Sequence, residues 1–141
     1  MASQEHIAER PTAPSYHDDA HSAYRTHLPR AGERSLRVKK ARRLYRQRRN
    51  REATMGYDLF GEPAWDILLT LFVAHHTNQE MTASRVCISA ATSTSTALRH
   101  LNMLEDRGLV SSTRDANDGR KRYVTLTAVA LANVENFLDS I

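Results

Sequence analysis

Between Thr82 and Thr127 the chain is punctuated so closely that few architectures fit it. Thr82 is a good N-cap for a short helix through Ala90, with Val86 and Ala90 facing inward. Ser93 then caps a second helix running to about Arg107, in which Ala97, Leu101 and Leu104 repeat at i, i+4, i+7. Gly108 is the left-handed terminator that such a helix needs. Leu109 and Val110 start a strand, Asp115-Ala116-Asn117-Asp118-Gly119 is turn chemistry, and Tyr123, Val124, Thr125 and Leu126 return. Helix, turn, helix, hairpin is the order this spacing predicts.

The polar residues of that stretch point to a partner. With Ala97, Leu101 and Leu104 inward, the second helix turns Ser95, Thr96, Arg99, Asn102 and Met103 outward, and Thr94 joins them in the first turn. An arginine can fork onto guanine, an amide can read adenine, and short hydroxyls suit a helix lying close to base edges. The Asp118-Gly119 turn predicts that Arg120, Lys121 and Arg122 ride near the hairpin tip, where cations brace against a phosphate backbone. The combination implies double-stranded DNA as the partner.

Upstream the composition changes twice. Residues 1–33 hold three of the chain's 4 prolines and few aliphatics, and are expected to form a disordered tail. Its His17-Asp18-Asp19-Ala20-His21 cluster has ligand chemistry, but such a cluster on a tail is expected to hold no metal. Arg34, Arg37, Lys39, Lys40, Arg42, Arg43, Arg46, Arg48, Arg49 and Arg51 then supply half of the 20 basic residues, with no acid among them. Val38, Ala41 and Tyr45, with Leu44 beside them, make a narrow apolar stripe, so residues 34–56 are expected to form a basic helix. Arg42, Arg43, Arg46 and Arg49 are its candidates for contact with the DNA backbone, because so many uncompensated cations repel one another unless an anion is near. A charged dimer-packing helix is the other reading.

The folded core is expected to begin near Tyr57. Pro63 suits a first helical position, and Trp65, Leu68, Leu69, Phe72 and Val73 repeat at i, i+3, i+4, i+7, i+8, a broad core-facing stripe. His75 and His76 fall in the last turn, where a partly protonated imidazole would suit the helix dipole, and Asn78 can take the left-handed exit. Thr127 caps a last helix whose Ala130, Val134, Phe137 and Ile141 form a stripe widened by Leu131 and Leu138. That apolar face asks for cover, and a second copy of the protein would supply it.

Other function classes fare poorly. A formal charge of +4 and a sequence pI near 9.6 favour a polyanionic partner. The single cysteine, Cys87, excludes an internal disulfide framework and reads as a small buried filler. No apolar run approaches a membrane span, no secretory signal is recognisable, and a soluble cytoplasmic protein is expected. No nucleophile–base set, Gly-rich phosphate loop or metal spacing is present, so neither catalysis nor a cofactor is expected.

Residues from about Trp65 to Thr127 resemble the MarR-type winged helix-turn-helix regulators. The family's helix pair ends in Leu-x-x-x-Gly-Leu-Val, which stands here as Leu104-Glu105-Asp106-Arg107-Gly108-Leu109-Val110. Its wing signature, Asp-x-Arg followed by Leu-Thr, stands as Asp118-Gly119-Arg120 and Leu126-Thr127, and Ala130 occupies the place of a family glycine. The resemblance implies a mainly α fold with a small β-hairpin wing, flanked by an N-terminal basic helix and a C-terminal dimerisation helix. By the same match Ser95, Thr96 and Arg99 enter the major groove, Arg120 reaches the minor groove, and Asp118 orients Arg120. It implies a homodimer as well. The domains expected are thus the 1–33 tail, the 34–56 basic helix, the 57–127 DNA-binding domain and a 128–141 helix. The function implied is a dimeric, sequence-specific transcriptional regulator, with recognition helix about 93–107 and wing about 111–125. A winged-helix protein-interaction module or an unspecific DNA coater is the alternative. Many family members bind small phenolic effectors, and no residue here identifies one.

Overall fold

The structure is a computed structural model that describes residues 31–56 and 58–141; residues 1–30 of the expected tail, with the His17–His21 cluster, and Tyr57 lie outside the described residues, while residues 31–33 of that tail are helical. In chain order the elements are α1 (Ala31–Met55), α2 (Pro63–His76), α3 (Ala83–Ser89), α4 (Thr94–Asp106), β1 (Val110–Arg114), β2 (Arg122–Leu126) and α5 (Ala128–Asp139). This is a mainly helical chain with one antiparallel hairpin, a winged helix-turn-helix.

The core is organised around α2, which touches every other helix and β2. Pro63 opens it, and Asp66, Ile67, Leu69, Leu71, Phe72 and Ala74 are buried along it. The predicted stripe is therefore only half right. Leu69 and Phe72 lie in the core, whereas Trp65, Leu68 and Val73 sit half-buried on its rim. A helix covered on most sides buries residues all round, and a one-faced template misplaces its axis. Trp65 meets Phe137 of α5 edge-on, ring centroids 5.1 Å apart.

The basic helix α1 is part of this core. It begins at Ala31, ahead of the expected boundary, and buries Val38 and Ala41 with Leu44 and Tyr45 against the core, as the stripe predicted. Its cations are less free than the sequence suggests, because acids arrive from elsewhere in the chain. Arg48 Nε donates to Asp66 Oδ1 at 2.7 Å and its Nη1 to Glu62 Oε2 at 2.6 Å. Arg49 Nη2 donates to Asp66 Oδ2 at 2.6 Å and to Glu52 Oε1 at 3.0 Å, with its guanidinium over the Tyr45 ring. Arg49 thus belongs to an internal ion cluster, and its candidacy for the DNA backbone is withdrawn. Farther along, Arg37 forks onto Asp139 at 2.9 and 2.7 Å, and Lys40 Nζ caps the end of α5 through the Leu138 and Ile141 carbonyls.

The caps fall where the sequence puts them. Thr82 accepts from Arg85 N, Ser93 from Thr96 N and Thr127 from Ala130 N. Gly108 (φ 71°) and Asn78 (φ 53°) take the left-handed exits. Val86, Cys87 and Ala90 are buried, as are Ala97, Leu101 and Leu104. Burial pushes the Cys87 thiol up, in keeping with a filler. On α5, Ala130, Leu131, Val134 and Leu138 are buried, but Phe137 is 44% exposed and Ile141 55% exposed. Ile141 lies beyond the last helical residue, and Phe137 meets Trp65 at the exposed edge of the stripe.

The histidines also differ from expectation. Burial first, then the neighbouring charges of His75, Arg34 and Arg37, push His76 down to about 4, so it is neutral near neutral pH and not a dipole-stabilising cation. Its Nε2 lies 3.9 Å from Glu135 Oε1, and burial pushes that carboxyl up.

Two stability predictions follow from these buried charges. Asp66→Ala leaves Arg48 and Arg49 without their shared carboxylate, and should lower the unfolding free energy by about 3–5 kcal/mol in urea titrations. For His76 the folded pKa is depressed, so the unfolded state takes up the proton first and stability falls as pH drops from about 6.5 to about 4. His76→Gln should flatten that fall, by no more than about 3 kcal/mol in total. An unchanged pH profile would contradict the assignment of a neutral, buried imidazole.

Candidate nucleic-acid interface

The interface is built on the first turns of α4 and on the hairpin beside them. Ser93 fixes the start of α4, and its hydroxyl also donates to Thr96 Oγ1 at 2.9 Å. Thr94, Ser95, Arg99 and Asn102 are exposed and Thr96 is half-buried. Ser95, Arg99 and Asn102 follow i, i+4, i+7, which stacks them on one face opposite the buried Ala97, Leu101 and Leu104. Arg99 makes no hydrogen bond or ion pair with another described residue, so its five N–H donors face solvent.

Strands β1 and β2 pair from Val110↔Leu126 to Arg114↔Arg122. The tight turn expected at Asp118-Gly119 is present, Lys121 N donating to Asp118 O at 3.0 Å, and it sits within a longer connection that Asp115 organises. Asp115 Oδ1 accepts from Asn117 N at 2.8 Å and from Asp118 N at 3.3 Å, and Tyr123 Oη donates to Asp115 Oδ2. Those backbone N–H groups, with the tyrosine, hold its carboxyl below the usual range. Asp118 Oδ1 in turn accepts from Arg120 N at 3.1 Å, so it fixes the backbone that carries Arg120. Arg114 Nη1 closes the loop on Gly119 O at 2.8 Å. Arg120 and Lys121 are exposed on this loop.

Arg122 is not at the tip. It lies in β2 and turns back onto α4, donating to Asn102 Oδ1 at 3.1 Å and pairing with Glu105 Oε2. The other Glu105 oxygen accepts from Ser112 Oγ at 2.5 Å. Hydrogen bonding by Ser112 and the charge of Arg122 hold the Glu105 carboxyl below its ordinary value. Glu105 therefore clasps both strands to the helix. A link to the body of the fold adds to this, since Val124 N donates to Met81 O at 2.9 Å.

The sequence reading gives Glu105, Ser112 and Arg85 no role in this site, and gives Asp115 only as turn chemistry. Asp115 had a signal, an Asx-turn residue two before Asn117. Glu105 and Ser112 had none, since nothing along the chain pairs a helix carboxylate with a strand hydroxyl. Arg85 is exposed on α3 and, with Arg42 and Arg46 of α1, rims a cavity of about 310 Å³ whose wall includes Tyr45, Leu69, Val73 and Met81. Arg43 is exposed on α1 nearby in sequence but does not line it.

Residues 60–130 match the family described as winged helix DNA-binding domain. The chain belongs to that family. No curated protein matches it. Among solved structures, the S. aureus MepR–DNA complex is similar at 22% identity, covering 67% of this chain and 73% of that one, with a TM-score of 0.48. A mutant of E. coli MarR is similar at 18% identity, covering 78% and 74%, with a TM-score of 0.45. A mutant of Lactococcus lactis ZitR is similar at 22% identity and a TM-score of 0.46; 55% of this chain aligns, spanning about half (49%) of that one. The family match, not these distant likenesses, carries the assignment.

If Asp115 sets the wing loop, Asp115→Ala should speed amide exchange at Asn117 and Asp118 while leaving α4 protected. The loss in global stability should be small. Unchanged exchange in the loop would remove Asp115 from this role.

Proposed function

We propose that this protein is a dimeric, sequence-specific transcriptional regulator that binds double-stranded DNA. The observation that carries the reading is the pairing of an unengaged Arg99 on the exposed face of α4 with the unengaged Arg120 and Lys121 on a wing clasped to that helix. In this reading α4 lies in the major groove, with Thr94, Ser95 and Thr96 at its entry and Arg99 on a base edge. Arg120 enters the minor groove, Lys121 meets phosphate, and Asp118 positions Arg120 through its backbone N–H. Arg122 and Asn102 act from the seam between helix and wing. Arg42, Arg43, Arg46 and Arg85 add sequence-independent attraction to phosphate. The protein works in the cytoplasm, associated with DNA.

The homodimer is supported by an apolar face that the described residues leave uncovered. Trp65, Leu68, Leu109, Val134 and Phe137 line an open cavity of about 450 Å³ between α2 and α5. A second copy docked there would bury Phe137, so Phe137→Asp should shift the protein from dimer to monomer in sedimentation experiments. A wild-type monomer at micromolar concentration would overturn this part of the proposal.

For DNA, Arg99→Ala should cost roughly 1–3 kcal/mol on a specific duplex and relax base preference at one position per half-site. Neutralising Arg42, Arg43 and Arg46 together should weaken all duplexes alike and flatten the dependence of log K on log salt. If Arg99→Ala instead weakened every duplex equally, the protein would be an unspecific coater.

A further inference from the structure

We infer that Arg122 fixes the polarity of Asn102, so that Asn102 presents donors to the major groove and reads guanine in preference to adenine. The inference rests on the DNA-reading function proposed above and concerns what α4 reads there.

A guanidinium carries N–H donors and no acceptor, so the Asn102 amide atom 3.1 Å from Arg122 Nη1 must be the oxygen. This removes the usual ambiguity between the two ends of an amide. Arg122 cannot easily let go, because its other arm is paired with Glu105, which Ser112 holds from β1. The Asn102 Nδ2 group makes no hydrogen bond with another described residue, and the side chain is exposed on the face it shares with Ser95 and Arg99.

Adenine is read by an amide that accepts from N6–H₂ and donates to N7 together. Here the accepting end has a cation against it. That oxygen has a second lone pair, but the guanidinium draws density from it and repels the positive end of an incoming N–H dipole. The same polarisation strengthens Nδ2 as a donor. Guanine offers two acceptors, O6 and N7, on the edge that such a donor pair would meet. The clasp thus converts an ambivalent amide into a donor-only reader, and it modifies the sequence-based view of Asn102 as an adenine reader.

The test is selection from a random duplex pool by the full chain and by Asn102→Ala, Asn102→Asp, Arg122→Met and Arg99→Ala. Wild type should favour guanine over adenine by about tenfold or more at one position per half-site. Asn102→Ala and Asn102→Asp should both lose that preference, and Arg122→Met should admit adenine there. The Asn102 variants change an exposed side chain, so they decide the matter even if Arg122→Met does not fold. Adenine at the Asn102-dependent position of wild type would overturn the inference. So would a motif that Asn102→Ala leaves intact while Arg99→Ala alters it, an outcome under which the DNA-reading function still stands. A wild-type protein that enriches no sequence would overturn both.

Discussion

A carboxylate shut away from water, Asp66, lies between two guanidinium groups, and the relation of α1 to the rest of the fold depends on it. Arg48 and Arg49 bring two positive charges to the side of α2, and only a carboxylate at that place makes their burial tolerable. Glu62 and Glu52 complete the cluster from either side. The arrangement turns a helix that would repel itself into one that packs. At its other end, α1 is held by Arg37 on Asp139 and Glu135, and by Lys40 on the last carbonyls of α5. The cations left over, among them Arg42, Arg43 and Arg46, are those that no acid among the described residues claims.

The same division of labour recurs at the interface. Glu105 takes Arg122 out of the exposed set and fastens the wing to α4, while Arg99, Arg120 and Lys121 stay unengaged. A protein that reads DNA needs both kinds of arginine. Engaged ones hold the geometry before DNA arrives, and free ones meet the polyanion without first breaking an internal bond. If helix and wing read DNA as proposed, the clasp bears on specificity as well as on stability, because it sets the distance between the two.

The fold was largely legible in the sequence because its signals are local. Thr82, Ser93, Gly108 and Thr127 mark element ends through bonds to residues three or four positions away, and these fell into place. What was not legible came from contacts between elements. Asp66 sits one residue off the predicted stripe of α2, so nothing along the chain announces a buried acid. Arg49 looks the same as Arg43 in sequence, and only the approach of α2 separates their fates. Position in the last turn suggests that the histidines serve the helix dipole, whereas burial and the charges of Arg34 and Arg37, which come from α1, keep His76 neutral. For the site, Ser95, Arg99 and Asn102 were legible from helical period alone, whereas the removal of Arg122 from the tip required the wing's register.

In the proposed complex α4 occupies a major groove and the wing an adjacent minor groove, twice, by symmetry. Hydroxyl-radical footprinting on a duplex the protein selects would test it most directly. A symmetric dimer should leave short protected patches on one face of the duplex, in two copies about one helical turn apart and related by a two-fold axis. Uniform protection along the whole duplex, or a single unpaired patch, would contradict it.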